Sequence, residues 1–243
     1  AAFKNGLKVY PFAQRNNPPA NTFTNLTGSD VNTIHANNFK FYEELDEVIQ
    51  REPSEMFSPE LLGMASAIGI QKGKPFNPTR EQKALLTEAV AIGNATARSI
   101  LFAPQDPKAY IYPGKAGYWQ TGFPGGNHTY LVDGGNGGRD MDGRTLFFYL
   151  ATVNTPAMVL ELPGVGSQYT FSSRDSSGAY LDGSKTYKVN IPANPPAQRF
   201  WSFVVYDPQT RSMLQSKEMP YPSKNNKRNP EMAKNADGSI DLY

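Results

Sequence analysis

Ser167 to Ile191 reads SQYTFSSRDSSGAYLDGSKTYKVNI, and this stretch decides the fold class. Two groups of turn-forming residues cut it: Asp175-Ser176-Ser177-Gly178, and Asp182-Gly183, the latter a type I′ turn signal. Thr186 to Ile191 alternates, with Tyr187, Val189 and Ile191 on one face and Thr186, Lys188 and Asn190 on the other. Gln168 to Arg174 reads as the strand before the first turn. Downstream, Phe200 to Tyr206 is apolar almost throughout, which predicts a central strand covered on both faces. Asp237-Gly238 introduces a last strand through Ile240 and Leu242. Short strands separated by Asp, Gly and Pro turns predict an antiparallel sandwich or jelly roll.

Upstream the period changes. Residues 1–34 read as extended and turn-rich, with LKVYPF (Leu7 to Phe12) a short strand and RNNPPANTFTNLTGSD a loop biased by Pro18 and Pro19. From His35, residues Phe41, Leu45, Val48 and Ile49 recur at helical spacing, with Asn37 or Asn38 available to cap and Pro53 beyond the end. Ser58-Pro59-Glu60 starts a second helix with an N-cap hydroxyl, a proline at N1 and an acid in the first turn. Leu61, Leu62, Ala65 and Ile68 supply its stripe, and Gly69 ends it. Thr79-Arg80-Glu81-Gln82 is a capping box that opens a long helix to about Phe102. Its small residues, Ala91, Gly93, Ala95 and Ala97, allow close approach of another element. The reading is α+β: a small helical bundle over 35–103, then an antiparallel β-sandwich over 104–243. Within the latter, Arg144 to Leu160 reads as a further helix that ends before Pro156, led in by Asp140 and Asp142.

Composition narrows the function classes. The chain has 243 residues, 24 Lys and Arg against 22 Asp and Glu, and no Cys. Near-balanced charge leaves no broad basic footprint, so nucleic acid is not expected as a partner. The absence of Cys removes disulfides, thiolate metal sites and cysteine nucleophiles. No apolar run is long enough for a membrane span. The start lacks an initiator Met and a signal peptide, and the end falls inside a strand pattern, so a fragment of a longer polypeptide is expected. The sequons at Asn25, Asn94 and Asn127 read as chance in an Asn-rich chain, Asn94 the more so because it falls in a helix pattern.

GGNGGRDMDGRT, Gly134 to Thr145, contains Gly138-x4-Gly143-Arg144-Thr145, which is close to a phosphate-cradling loop. Arg144 stands where that loop needs Lys, and no βαβ pattern follows. An EF-hand reading puts Gly143 two places early after Asp140 and Asp142. The nonapeptide calcium repeat would place Arg139 at its aspartate. A single cation site on Asp133, Asp140 and Asp142 stays open beside the plainer reading, a surface loop in which Asp140 or Asp142 caps the next helix. The only histidines are His35, at a helix entrance and expected to cap or lie exposed, and His128, a candidate base without a nucleophile elbow. Asp175, Asp182, Asp207 and Asp237 could pair for glycoside hydrolysis, but each sits in a turn, where Asp is ordinarily structural. Trp201 reads as core. Trp119, with Tyr118 and Tyr169, is the better surface for stacking a flat ligand.

Gly166-Ser167-Gln168-Tyr169, Arg174-Asp175, Leu181-Asp182-Gly183, Pro195-Pro196 to Phe200-Trp201, Tyr206-Asp207 and Asn235-Ala236-Asp237-Gly238-Ser239, taken jointly, resemble a bacterial family, domain of unknown function 1214. In that family this domain typically follows domain of unknown function 1254. GMASAIGIQKGKPFNP is similar to the helical linker of such proteins. The resemblance implies an Ig-like sandwich, a helical domain and a jelly roll, of which this chain would hold the last two. Residues 1–34 would be a remnant of the first sandwich, and the jelly roll would be truncated at its C-terminus. It also implies a periplasmic or secreted setting and carries over no established catalytic residue; no cofactor is expected. Two functional readings follow. One is a binding or assembly module for a carbohydrate, a small ligand or a partner chain, including a homo-oligomer or the missing parts of the longer chain. The other is a hydrolase-like enzyme acting on a glycoside or ester through Asp175 with Arg174, or through His128, between the helices and the sandwich.

Overall fold

The computed structural model describes residues 6–26, 29, 32, 34–112, 114, 118–214 and 221–243, and the chain divides into Ala1–Thr33 and Ile34–Tyr243. In the first unit Val9 N–H donates to Asn21 Oδ1 at 2.9 Å, and Asn21 Nδ2 donates back to the Val9 carbonyl at 2.6 Å. The strand expected at Leu7 to Phe12 does not form. Phe12–Gln14 is instead a 3-10 turn behind Pro11, which has no N–H for a ladder. Thr27 of the first sequon, with Gly28 and Asp30 of the loop around it, lies outside the described residues.

The second unit begins with three helices. Helix α1, Lys40–Arg51, is entered through Asn38, whose Oδ1 accepts the Lys40 N–H at 3.0 Å. Its buried face is Tyr42 and Ile49 with Leu45 beside them, whereas Phe41 and Val48 are exposed. The expected stripe was therefore turned by part of a turn, because the ring body of Tyr42 counts as apolar surface. Helix α2, Pro59–Ala67, is capped by Ser58, which accepts from Leu61 N–H, and it ends on Gly69 at φ +92° as the sequence predicts. Helix α3, Arg80–Phe102, carries the complete capping box, with Thr79 Oγ1 accepting from Gln82 N–H at 3.2 Å and Gln82 Oε1 from Thr79 N–H at 2.9 Å.

These helices share a core of Tyr42, Ile49, Ala65 and Ile70. Lys72 Nζ locks it from outside, donating to the carbonyls of Ile49, Gln50 and Glu52 at 3.0, 2.9 and 2.7 Å. A cation at the negative end of α1 satisfies carbonyls that the helix leaves open.

Helix α4 spans Met141–Ala151 and stops where Thr152 takes φ 62°. A separate short helix α5, Pro156–Val159, begins at the proline expected to lie beyond the helix. Proline at N1 starts a helix as readily as it breaks one. Leu101, Ala109, Leu146 and Tyr149 join α3 to α4 in a second core, and Tyr130, Phe147 and Val159 form a third.

The strands are short and pair in twos, all antiparallel. β1 (Gln120–Thr121) pairs with β2 (Thr170–Phe171), β3 (Val189–Ile191) with β6 (Ile240–Leu242), and β4 (Ser202–Val204) with β5 (Ser223–Asn225). Helices plus small antiparallel pairs make the fold α+β. Three expectations are corrected. The Phe200 to Tyr206 run is not covered on both faces: Phe200 is 57% exposed and Tyr206 55%. Trp201 is only partly buried. Gly183 does not take positive φ, so Asp182-Gly183 is not a type I′ turn. Among the described residues after Val159, Ser239 alone is fully buried.

Candidate functional site

Turn chemistry orders the strand region. In Asp175-x-Ser177, Asp182-x-Ser184 and Asp237-x-Ser239, one carboxylate oxygen accepts both the backbone N–H and the hydroxyl of the serine two residues on, at 2.6 to 2.9 Å. Asp207 does the same for Gln209 and Thr210. Donors that favour the ionised form hold these carboxyls below the usual carboxylate range, led by the Ser177 hydroxyl for Asp175, the Ser184 N–H for Asp182, the Thr210 N–H for Asp207 and the Ser239 hydroxyl for Asp237. All are Asx turns.

This geometry bears on the proposed acids. Asp175 Oδ1 also accepts from Ala179 N–H at 3.1 Å, so that oxygen serves its own turn. Arg174 is engaged as well. Its Nη1 donates to the Gly178 carbonyl at 2.9 Å and its Nη2 to Tyr180 Oη at 2.6 Å. The guanidinium also lies 3.9 Å from the Tyr180 ring centroid and 5.7 Å from that of Tyr118. Tyr118 meets Arg174 because Gly178, at φ +90°, leaves room that a Cβ would fill against the phenol ring. Tyr169 is 63% exposed and packs on Phe123. Trp119 is partly buried, and its carbonyl accepts from Ile111 N–H. His128 is exposed in a turn whose neighbours Asn127 and Thr129 bond to each other.

A cleft of about 670 Å³ lies elsewhere. Its walls are the end of α3 and the following loop (Ile100, Asp106, Lys108), the Gly125-Gly126 turn, the hairpin at Tyr130 to Asp133, the start of α4, and Glu161. Asp175, Arg174, His128, Tyr118, Trp119 and Tyr169 do not line it. Asp133, Asp140 and Asp142 do, and they share it with Asp106 and Glu161 against one cation, Lys108.

The sequence foretells why these aspartates converge. Leu131 and Arg139 bridge across the glycine tract, which carries left-handed residues at Asp133, Gly134, Gly135 and Gly138. Asp140 then caps α4, its Oδ1 accepting the Gly143 N–H at 2.7 Å. Among the described residues no group of three or more His, Cys, Asp or Glu is close enough to hold a metal ion; the three aspartates border one cleft. Tyr130 forms the buried floor. Burial pushes its phenol up to about 12, with Asn154 and Arg144 pulling the other way. The Asn154 side chain faces the hydroxyl outside hydrogen-bonding geometry, and the oxygen has no bonded partner.

Sequence reasoning missed Asp106, Lys108, Tyr130 and Glu161, which reach the cleft from separate segments and share no local pattern. It also misplaced His35, which is partly buried against Phe148 and Tyr149. Asn94 of the second sequon lies inside α3, partly buried, as expected.

Among the described residues no helix is long and apolar enough to cross a membrane. No curated protein matches the sequence. Among solved structures, the VPA0106 protein from Vibrio parahaemolyticus is similar at 20% identity and a TM-score of 0.38, over 93% of this chain and 46% of that one. The chain thus spans about half the length of the structure it matches. Residues 166–243, the C-terminal part of the chain, match the model of the family described as protein of unknown function (DUF1214).

Proposed function

We propose that the chain is a ligand-binding module whose cleft takes a small, hydroxyl-rich molecule of mono- or disaccharide size. The observation that carries this reading is the cleft itself. Its volume of about 670 Å³ falls within the roughly 300–1,000 Å³ of small-molecule sites. Carboxylates are acceptors only, and they suit a ligand that presents many O–H donors. Ile100, Leu131 and Leu146 add apolar wall for a sugar face. Among the described residues Asp133 and Asp142 accept no hydrogen bond that would compete for them, unlike Asp140, which caps α4. The enzyme alternative gains nothing from Asp175, Arg174 or His128, which lie outside the cleft.

The test is a thermal-shift and equilibrium-dialysis panel of mono- and disaccharides, run on the wild type and on Asp133→Asn/Asp142→Asn. A saturable sugar that binds at least tenfold more weakly to the double variant supports the reading. No binding, or equal affinity in both proteins, refutes it.

A second reading, assembly, rests on the strand region. With Ser239 the one buried residue after Val159 among the described residues, and with Phe200, Val205, Tyr206 and Met213 exposed, this region leaves apolar surface and strand edges that further chain would cover. On this reading the paired strands are part of a jelly roll completed by the rest of a two-domain 1254/1214 protein, exported to the periplasm or outside. Sizing by light scattering would test it. A monomer that stays soluble at high concentration counts against the assembly reading.

A further inference from the structure

A second polar centre lies away from the cleft, where four segments of the chain meet. Arg211 ends the turn that Asp207 begins. It takes φ 59°, its N–H donates to the Asp207 carbonyl at 2.8 Å, and its Nη1 donates to the Gln209 carbonyl at 3.0 Å. Arg98 clips that turn to α3, donating from Nη1 to Gln209 Oε1 at 3.1 Å and to the Pro208 carbonyl at 3.3 Å. The Arg211 guanidinium lies over the Tyr149 ring of α4, 4.2 Å from its centroid. His35 packs on the same ring and on Phe148, with centroids 6.1 and 5.2 Å away.

A left-handed backbone, a carbonyl and an aromatic face thus hold the guanidinium in place, yet one edge is unused. Nε and Nη2 of Arg211 are buried without a hydrogen-bond partner, and so is Nδ1 of His35. Buried charged donors are almost always paired. Nε–H and Nη2–H point the same way along one edge, and this is the fork that grips two oxygens of a carboxylate or phosphate. Oδ1 of Asp207 in the same turn is occupied by Gln209 and Thr210. Among the described residues no carboxylate forms an ion pair with Arg211 or His35. Burial, and then the Arg211 charge, hold His35 below its ordinary value, while the Asn94 side chain favours the protonated ring. The Arg211 charge and the His35 ring thus lie close together with no anion between them among the described residues. Both residues are partly exposed as a whole, although Nε, Nη2 and Nδ1 themselves are buried.

We propose that Arg211 and His35 form an anion-binding site for a small ligand that carries a carboxylate or phosphate, gripped by the Nε/Nη2 fork of Arg211 and touched by His35. Asn94 borders the site from α3, and Tyr149 is its platform. None of these residues lines the acidic cleft, so the two sites can be tested independently.

The chain has two histidines, His35 and His128, so imidazole NMR signals read the site directly, with His128 as the internal control. Sodium phosphate and sodium acetate are titrated separately into the whole chain at constant ionic strength set by chloride. The expected result is a saturable shift of the His35 resonance, with His128 unmoved, for at least one anion. Whichever anion produces the shift shows which chemistry the fork prefers. Arg211→Lys keeps the charge and removes the fork, and it is expected to weaken that binding at least tenfold. A His35 signal that neither anion moves means that the fork holds water or nothing, and it overturns the proposal without recourse to any variant. Equal titrations in the wild type and in a folded Arg211→Lys overturn it as well.

Discussion

Gly143 offers the sharpest test of how the cleft is built. It is the third residue of α4, and its N–H is the one that Asp140 caps. A Cβ placed on Gly143 would stand 2.9 Å from Cγ and 3.1 Å from Oδ1 of Asp140, and closer still to Oδ2. Two effects compete in Gly143→Ala. Alanine is favoured over glycine within a helix by about 1 kcal/mol. To make room, however, the carboxylate must swing away, which costs the cap about 1–2 kcal/mol. It also loses a favourable place at the positive helix end, worth about 0.3–1 kcal/mol. The loss wins, and the variant is expected to be less stable by about 0.3–2 kcal/mol. In an Asp140→Ala background there is no carboxylate left to displace, so the same substitution should stabilise by about 1 kcal/mol. The sign therefore inverts, with a coupling of about 1.3–3 kcal/mol between the two positions. Urea unfolding of the four proteins in the cycle measures it as shifts of several tenths molar in the midpoint, given a slope of roughly 1–3 kcal/mol/M. A Gly143→Ala effect of the same sign and size in both backgrounds would show that the Asp140 cap does not fill the space beside Gly143.

Acid should loosen the strand region first. Asp175, Asp182, Asp207 and Asp237 are all held below 3.8 in the folded chain. A depressed carboxyl stabilises the fold above its unfolded value and loses that contribution as pH falls through the folded one. Urea midpoints should therefore be flat from pH 6 to 5 and fall below about 4, less steeply in Asp207→Asn. A midpoint that rises on acidification contradicts the turn assignments. Tyr130 works in the opposite pH range. Its folded value, about 12, lies above the ordinary 10.0, so its contribution is complete below pH 10 and is lost as pH climbs towards 12. Since its hydroxyl is buried without a partner, Tyr130→Phe should leave the neutral-pH urea midpoint unchanged or raised. It should also flatten the alkaline loss of stability. A lower midpoint at pH 7 would mean that the hydroxyl is bonded.

Signals carried by neighbouring residues were legible in the sequence, and signals carried by distant ones were not. Ser58, Thr79 with Gln82, Gly69, Asp140 and the Asp-Gly before the last strand all act within four residues, and each does in the structure what its type predicts. Phe200 to Tyr206 shows the opposite case. An apolar run states that a strand could be covered, but whether another layer covers it depends on residues far away. Here β4 has β5 as its partner, from a stretch, Ser223–Asn225, with no apolar pattern to announce it. The cleft has the same origin. Asp133, Asp140 and Asp142 stand near one another in sequence, whereas Asp106 follows α3, which packs on α4 through Leu101 and Leu146, and Glu161 follows α5, whose Val159 packs with Tyr130 and Phe147. The meeting of His35 with Arg211 spans most of the chain and leaves no periodicity to read.

The Asp-x-Ser turns carry a kinetic consequence. Each closes between residues two to four apart, as from Asp175 to Ser177 and Ala179. The Arg98 clip to Gln209 joins residues 111 apart. Loop-closure entropy makes the longer link more costly by about 3 kcal/mol before any contact is made. These bends can thus be set in nanoseconds to microseconds, while the clasp between helix and strand region waits for the rest of the chain to collapse. The order of assembly is written in those separations: the aspartates shape the hairpins first, and Arg98 fastens them afterwards.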